Sequence, residues 1–119
     1  MQNITLDNGL TLLFTDTTRR YYGNFFRVRI VVSCSIQLTE LLCPSLEDFE
    51  QLRGFLGEAA PYERILEKMG VPEQEIGTVK DHLLAKFVET SVPYLADPAF
   101  PQRYIGKLTA DLKKGRLRR

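Results

Sequence analysis

Tryptophan is absent from this 119-residue chain, histidine occurs once, at His82, and cysteine twice, at Cys34 and Cys43. Two cysteines permit one disulfide at most, and their spacing fits no common zinc pattern. A lone imidazole completes no such site without carboxylate help, and any Ser-His or Cys-His pair would have to use it. The expectation is therefore no metal, no cofactor and no catalytic residue. Long apolar runs are missing as well. The longest spans three residues, as in Ile30-Val31-Val32, against the ~20 that cross a bilayer, so no membrane partner is expected. The opening Met1-Gln2-Asn3-Ile4-Thr5 lacks a basic start followed by an apolar stretch, which points to a cytoplasmic protein with reduced thiols. Excess charge is lacking too, with 16 Lys+Arg against 15 Asp+Glu and a formal charge of +1. That removes any whole-molecule argument for nucleic acid.

What is present describes one domain spanning residues 1–119, with no repeat, low-complexity tract or flexible linker to divide it. Ile4 to Phe14 alternates around Asp7-Asn8-Gly9, a strong hairpin signal. A three-residue loop with Gly9 left-handed pairs Leu6 with Leu10 and Ile4 with Leu12. That register places Ile4, Leu6, Leu10, Leu12 and Phe14 on one face, whereas an Asn8-Gly9 loop would split them. After a polar connection, Asp16 to Arg20, Phe26, Val28, Ile30, Val32, Cys34 and Ile36 alternate without a fault. They form the inward face of a strand from about Asn24 to Gln37. At ~3.3 Å per residue it outreaches both hairpin strands, so its surplus edge needs a fourth strand or a second subunit.

Ser45 with Asp48 three residues on marks a helix start, followed by Leu46, Phe49, Leu52 and Leu56 at helical spacing before Gly57. The segment Pro61 to Gly70 is ambiguous. Tyr62, Ile65, Leu66 and Met69 fit a helical face, while the long strand's unpaired edge asks for a strand here, and the reading leans to the strand. Ile76, Val79, Leu83 and Phe87 stripe a longer helix over about Glu73 to Ser91, ended by Pro93. Pro93, Pro98 and Pro101 then spell a stiff connector, and Asp97 before Pro98 reads as cap and first turn of a last helix carrying Tyr104, Ile105, Leu108 and Leu112. The fold class is α+β: an antiparallel sheet of three to four strands, built from the N-terminal hairpin and a long third strand, with two C-terminal helices packed on one face.

The spaced features Leu6-Asp7-Asn8-Gly9-Leu10-Thr11-Leu12, Arg19, Gly23-Asn24, Val28-Arg29, Pro93-Tyr94-Leu95 and Phe100-Pro101 resemble a group of small bacterial proteins known mainly as hypothetical open reading frames. The resemblance covers nearly the whole chain, but its motifs are structural and imply no activity. It does imply an extended conformation around Tyr62 to Met69.

Two features rise above an ordinary surface. Arg19, Arg20, Tyr21 and Tyr22 lead into the long strand, whose outward face carries Phe25, Arg27 and Arg29. Exposed arginine with tyrosine and phenylalanine is the composition of protein-interface anchors and of stacking platforms for single-stranded nucleic acid. The plainer alternative is that a helix covers Phe25 and Tyr22 while the arginines are solvated. The second feature is a basic tail from about residue 113, with Lys113, Lys114, Arg116, Arg118 and Arg119. Without those five, 11 basic residues face 15 acidic ones, a formal −4. Such a tail either complements a helix C-terminus or makes weak phosphate contacts. Cys43, beside Pro44, is the one candidate for a reactive thiol. The leading expectation is a non-catalytic protein-interaction module, pairing with itself as a homodimer or with another protein. Nucleic-acid binding through the arginine-aromatic face and tail is the second reading, and a small ligand-binding protein or enzyme the third.

Overall fold

The structure is a computed structural model, and it describes residues 3–115. A five-stranded antiparallel sheet runs β1 (Asn3–Thr5), β2 (Thr11–Asp16), β3 (Arg19–Tyr22), β4 (Phe25–Gln37) and β5 (Ala59–Pro72). Helices α1 (Leu46–Leu56), α2 (Ile76–Thr90), α3 (Val92–Leu95) and α4 (Phe100–Lys113) complete the chain. The central strand is β4. One of its edges pairs with β2 and then β3, the other pairs with β5, and β1 flanks β2.

The first hairpin has the three-residue loop its alternation requires. Ile4 pairs with Leu12, the Leu6 N–H donates to the Leu10 carbonyl at 2.7 Å, and Gly9 sits at φ 90°. Leu6, Leu12 and Phe14 are buried in consequence, with Ile4 and Leu10 packed against them. The segment after β2 departs from expectation. Instead of a plain connection, Arg19–Tyr22 is a further strand continuing the line of β2 along β4, with the Thr17 N–H bonded to the Arg29 carbonyl across the break. All four of its residues are exposed, so it carried no apolar alternation to read. Between Tyr22 and Phe25 the chain reverses through Gly23 at φ 55° and Asn24, the positive φ falling where a two-residue hairpin places glycine.

β5 resolves the ambiguous segment as strand, and it runs antiparallel to β4 from Gln37↔Ala59 to Phe25↔Pro72. Between Phe26 and Val28 the register slips by one residue, leaving a bulge at Met69-Gly70 with Gly70 at φ 68°. The edge that β4 would have left bare is therefore covered within the chain.

Ser45 caps α1, its Oγ accepting the Asp48 N–H at 3.1 Å. α2 ends at Thr90 as Pro93 requires, but the connector is not extended: α3 forms a short turn with that proline near its start, where no N–H is needed. The last helix begins later than the Asp97-Pro98 pattern suggests. Asp97 Oδ1 accepts the Ala99 N–H at 2.8 Å in a local turn, Ala99 holds the cap position, and Pro101 occupies the first helical turn.

Helices cover one sheet face only. The core there contains Leu12, Phe14, Ile30, Val32, Ile36, Leu52, Phe87, Leu95, Phe100 and Ile105, each at most 2% exposed. Phe14 meets Phe87 edge to face at 5.9 Å, and an aromatic group of Tyr62, Tyr94, Phe100 and Tyr104 ties α4 to β5. The radius of gyration is 17.1 Å and the extents are 53 × 30 × 20 Å, against the roughly 13.5 Å radius of a compact domain of this length. The molecule is elongated. Among the described residues no helix is long and apolar enough to cross a membrane.

Candidate interaction surface

Strand alternation decides which side chains face away from the helices. Along β4, Val28, Ile30, Val32, Cys34 and Ile36 point inward, so Phe25, Arg27, Arg29, Val31, Ser33 and Ser35 point outward. Cross-strand partners share their face, which adds Leu13 and Thr15 from β2, Arg19 from β3, and Glu63, Ile65 and Glu67 from β5. This face divides by chemistry. Val31 lies between Thr15 and Ile65, with Leu13 one pair further along, and forms an apolar centre. Next comes a charged band where Arg29 pairs across from Glu67, and Arg27 Nε lies 3.6 Å from Glu67 Oε1. At the far end the β3–β4 hairpin tip carries rings, with Tyr22 78%, Tyr21 56% and Phe25 46% exposed. Tyr21, Tyr22, Phe25 and Gly70 line a shallow groove there. No helix covers Phe25 or Tyr22, so the plainer alternative for these rings does not hold among the described residues.

The arginines do not all share this surface. Arg19 stands directly opposite Arg27 on the outer face, whereas Arg20 pairs opposite inward-facing Phe26 and lies 5.9 Å from its ring centroid. The Arg29 guanidinium donates to Thr17 Oγ1 at 3.0 Å, which holds it against the β2–β3 break. Tyr21 is the residue skipped where the register shifts between Arg20 and Tyr22. Of the seven residues expected on this face, the structure gathers Arg19, Tyr22, Phe25, Arg27 and Arg29, seats Tyr21 in the adjoining groove and turns Arg20 to the helix side.

The tail divides too. Lys113 belongs to the last turn of α4, and its Nζ lies 3.0 Å from Oδ1 of the buried Asp48 in the first turn of α1. Its charge therefore joins two helices. Lys114 follows, exposed, at the helix end, while Arg116, Arg118 and Arg119 lie outside the described residues.

Neither cysteine is in a disulfide. Burial pushes the Cys34 thiol above its ordinary pKa. Cys43 is half-buried, and burial together with the nearby Asp48 carboxylate raises it as well. Both effects oppose thiolate formation, the reverse of what a nucleophilic cysteine needs. His82 is exposed on α2, and the described residues hold no group of three or more His, Cys, Asp or Glu side chains arranged for a metal.

Sequence reasoning missed Leu13, 45% exposed, Ile65, 44%, and Met69, 48%. Leu13 broke the hairpin's inward alternation and was the only available signal. Ile65, Glu67 and Met69 had no face until the strand state of β5 was fixed. No family model, curated protein or solved structure gives a significant match to the chain.

Proposed function

We propose that this protein is a non-catalytic protein-interaction module, and that its contact surface is the uncovered sheet face ending in the aromatic hairpin tip, with a second copy of the chain as partner. The observation carrying this reading is the exposure of Tyr21, Tyr22 and Phe25 together at one end of a sheet whose other face carries the helix-covered core. Rings of this size contribute most when buried at the centre of an interface, and side chains with two χ angles lose little entropy on docking. The arginines favour protein over nucleic acid as the partner, because Glu67 stands among them and Thr17 and Phe26 engage two of the guanidinium groups.

Light scattering coupled to size-exclusion chromatography, run over a wide concentration range, tests this. The expected result is a concentration-dependent dimer that Tyr22→Ser with Phe25→Ser shifts to monomer while the circular dichroism spectrum is kept. A strict monomer at millimolar concentration removes the self-association. Salt-sensitive binding of single-stranded oligonucleotides that Arg19→Ala and Arg27→Ala abolish would transfer the surface to nucleic acid.

A further inference from the structure

The outer edge of β5 is the longest unpaired strand edge in the described fold, and its hydrogen-bond phase can be fixed. Leu38 N–H donates to the Glu58 carbonyl at 3.0 Å, just beyond the paired residues Gln37↔Ala59. Antiparallel ladders alternate, so residues 60, 62, 64, 66 and 68 exchange bonds with β4 while 61, 63, 65 and 67 turn their backbone groups outward. Two independent features agree with that phase. Pro61, which has no N–H, falls at an outward position, and its carbonyl accepts the Tyr104 hydroxyl at 2.6 Å from outside the sheet. Glu63, Ile65 and Glu67 thus present three N–H and three carbonyl groups, and the backbone bonds outside the regular elements involve none of them.

The edge is built against pairing with a copy of itself. In a two-fold antiparallel pairing centred on Ile65, Glu63 meets Glu67 twice. Centred on Arg64 it sets Arg64 against Arg64, and centred on Leu66 it sets Arg64 against Lys68 twice. Like charges directly opposed destabilise a strand pair. A different strand meets no such obstacle. Its outward residues would stand beside Glu63, Ile65 and Glu67. On the helix side, Lys68 of β5, Glu75, and Thr78, Val79, His82 and Leu83 of α2 border a groove of about 270 Å³ alongside the edge, with Val79 and Leu83 as its apolar part.

From these observations we propose that the β5 edge accepts an extended segment of another protein by strand addition, and that the segment carries basic, apolar and basic residues at alternating positions facing Glu63, Ile65 and Glu67, with an apolar side chain between them directed to the α2 groove. Main-chain pairing supplies the attachment and the two faces supply the selection. This goes beyond the sheet-face reading: it uses the backbone edge of β5, whose Glu63, Ile65 and Glu67 side chains border that face.

The probe is the peptide acetyl-Thr-Lys-Leu-Val-Leu-Lys-Thr-amide, titrated against the full chain by isothermal titration calorimetry at low and moderate salt. Saturable binding is expected, at least about ten-fold weaker for the same peptide with Glu at both Lys positions and for the peptide N-methylated at Val, which loses a main-chain donor. Glu63→Gln with Glu67→Gln should weaken the Lys peptide several-fold and flatten its salt dependence. Absence of saturable binding, equal binding of the Glu peptide, or indifference to N-methylation would each overturn the proposal. So would a dimer that Tyr22→Ser with Phe25→Ser leaves intact and that Ile65→Pro dissolves in a chain that stays folded, since the occupant of the edge would then be a second copy. The titration is repeated on Phe25→Ser, which alters the sheet-face surface and leaves the edge intact, so binding there stands even if the self-association reading fails.

Discussion

Asn8 joins parts of the chain 87 and 89 residues apart. Its Nδ2 donates to the carbonyls of Leu95 at 2.7 Å and Asp97 at 3.1 Å, while its Oδ1 accepts the Leu10 N–H. One amide thereby shapes the hairpin loop and docks it on the α3–α4 connector. Asn8→Ala leaves these part-buried groups unpaired and should cost about 1–3 kcal/mol in urea unfolding. Asp16 has a pH signature. Burial raises its carboxyl, but hydrogen bonds from Lys80 and Thr18 outweigh that and set its pKa below the ordinary value. A depressed carboxyl stabilises the fold above the unfolded-state pKa, near 4, and the stabilisation is lost as pH falls through the lower folded value. Asp16→Asn should therefore lower the stability measured at pH 7 while leaving a smaller further loss as pH falls below the ordinary carboxylate range; an unchanged acid limb would count against the Lys80 pairing.

At the scale of elements, legibility followed how much of each segment's state was decided locally. The Asp7-Asn8-Gly9 loop, the Ser45 cap and the alternation of β4 each rest on residues within a few positions, and the structure agrees with all three. β3 could not be read because Arg19–Tyr22 buries no side chain, so it carries no apolar alternation. β5 could be read only through its neighbour, since Tyr62, Ile65, Leu66 and Met69 match helical spacing and β4's edge selects the strand. The outer face was accordingly half legible: Phe25, Arg27 and Arg29 follow from β4, whereas Ile65 and Glu67 waited on β5. The bulge at Gly70 offers an element-scale check. A Cβ there meets nothing within 4 Å, so Gly70→Ala would clash with no neighbour and pay only for its φ of 68°. The expected loss is about 1–2 kcal/mol in chemical denaturation, with the β4–β5 pairing retained.

At the scale of the whole molecule, the core cluster and the hairpin tip occupy different regions of an elongated shape. The cluster spans the inward residues of β4 from Ile30 to Ile36, and Val28 and Val71 are buried outside it. Fewer buried contacts mean cheaper local opening. Amide hydrogen exchange at Arg19 to Arg27 should run about ten-fold or more faster than at Ile30 to Ile36; uniform protection along β4 would contradict this. The charge distribution also changes meaning at this scale, because Lys113 is drawn from the basic end to neutralise Asp48 between α1 and α4.

The Tyr104 hydroxyl on the Pro61 carbonyl and the bulge at Met69-Gly70 stand at the two ends of the free β5 edge. Between them the outward-turned backbone groups run from residue 63 to residue 67, a span of roughly 13 Å at the usual strand rise. The pair acts as a ruler. A strand that adds here can form a ladder of about five residues before it meets a tyrosine at one end and a twist at the other. The fold thereby limits how much of any partner it can grip, whatever that partner's length.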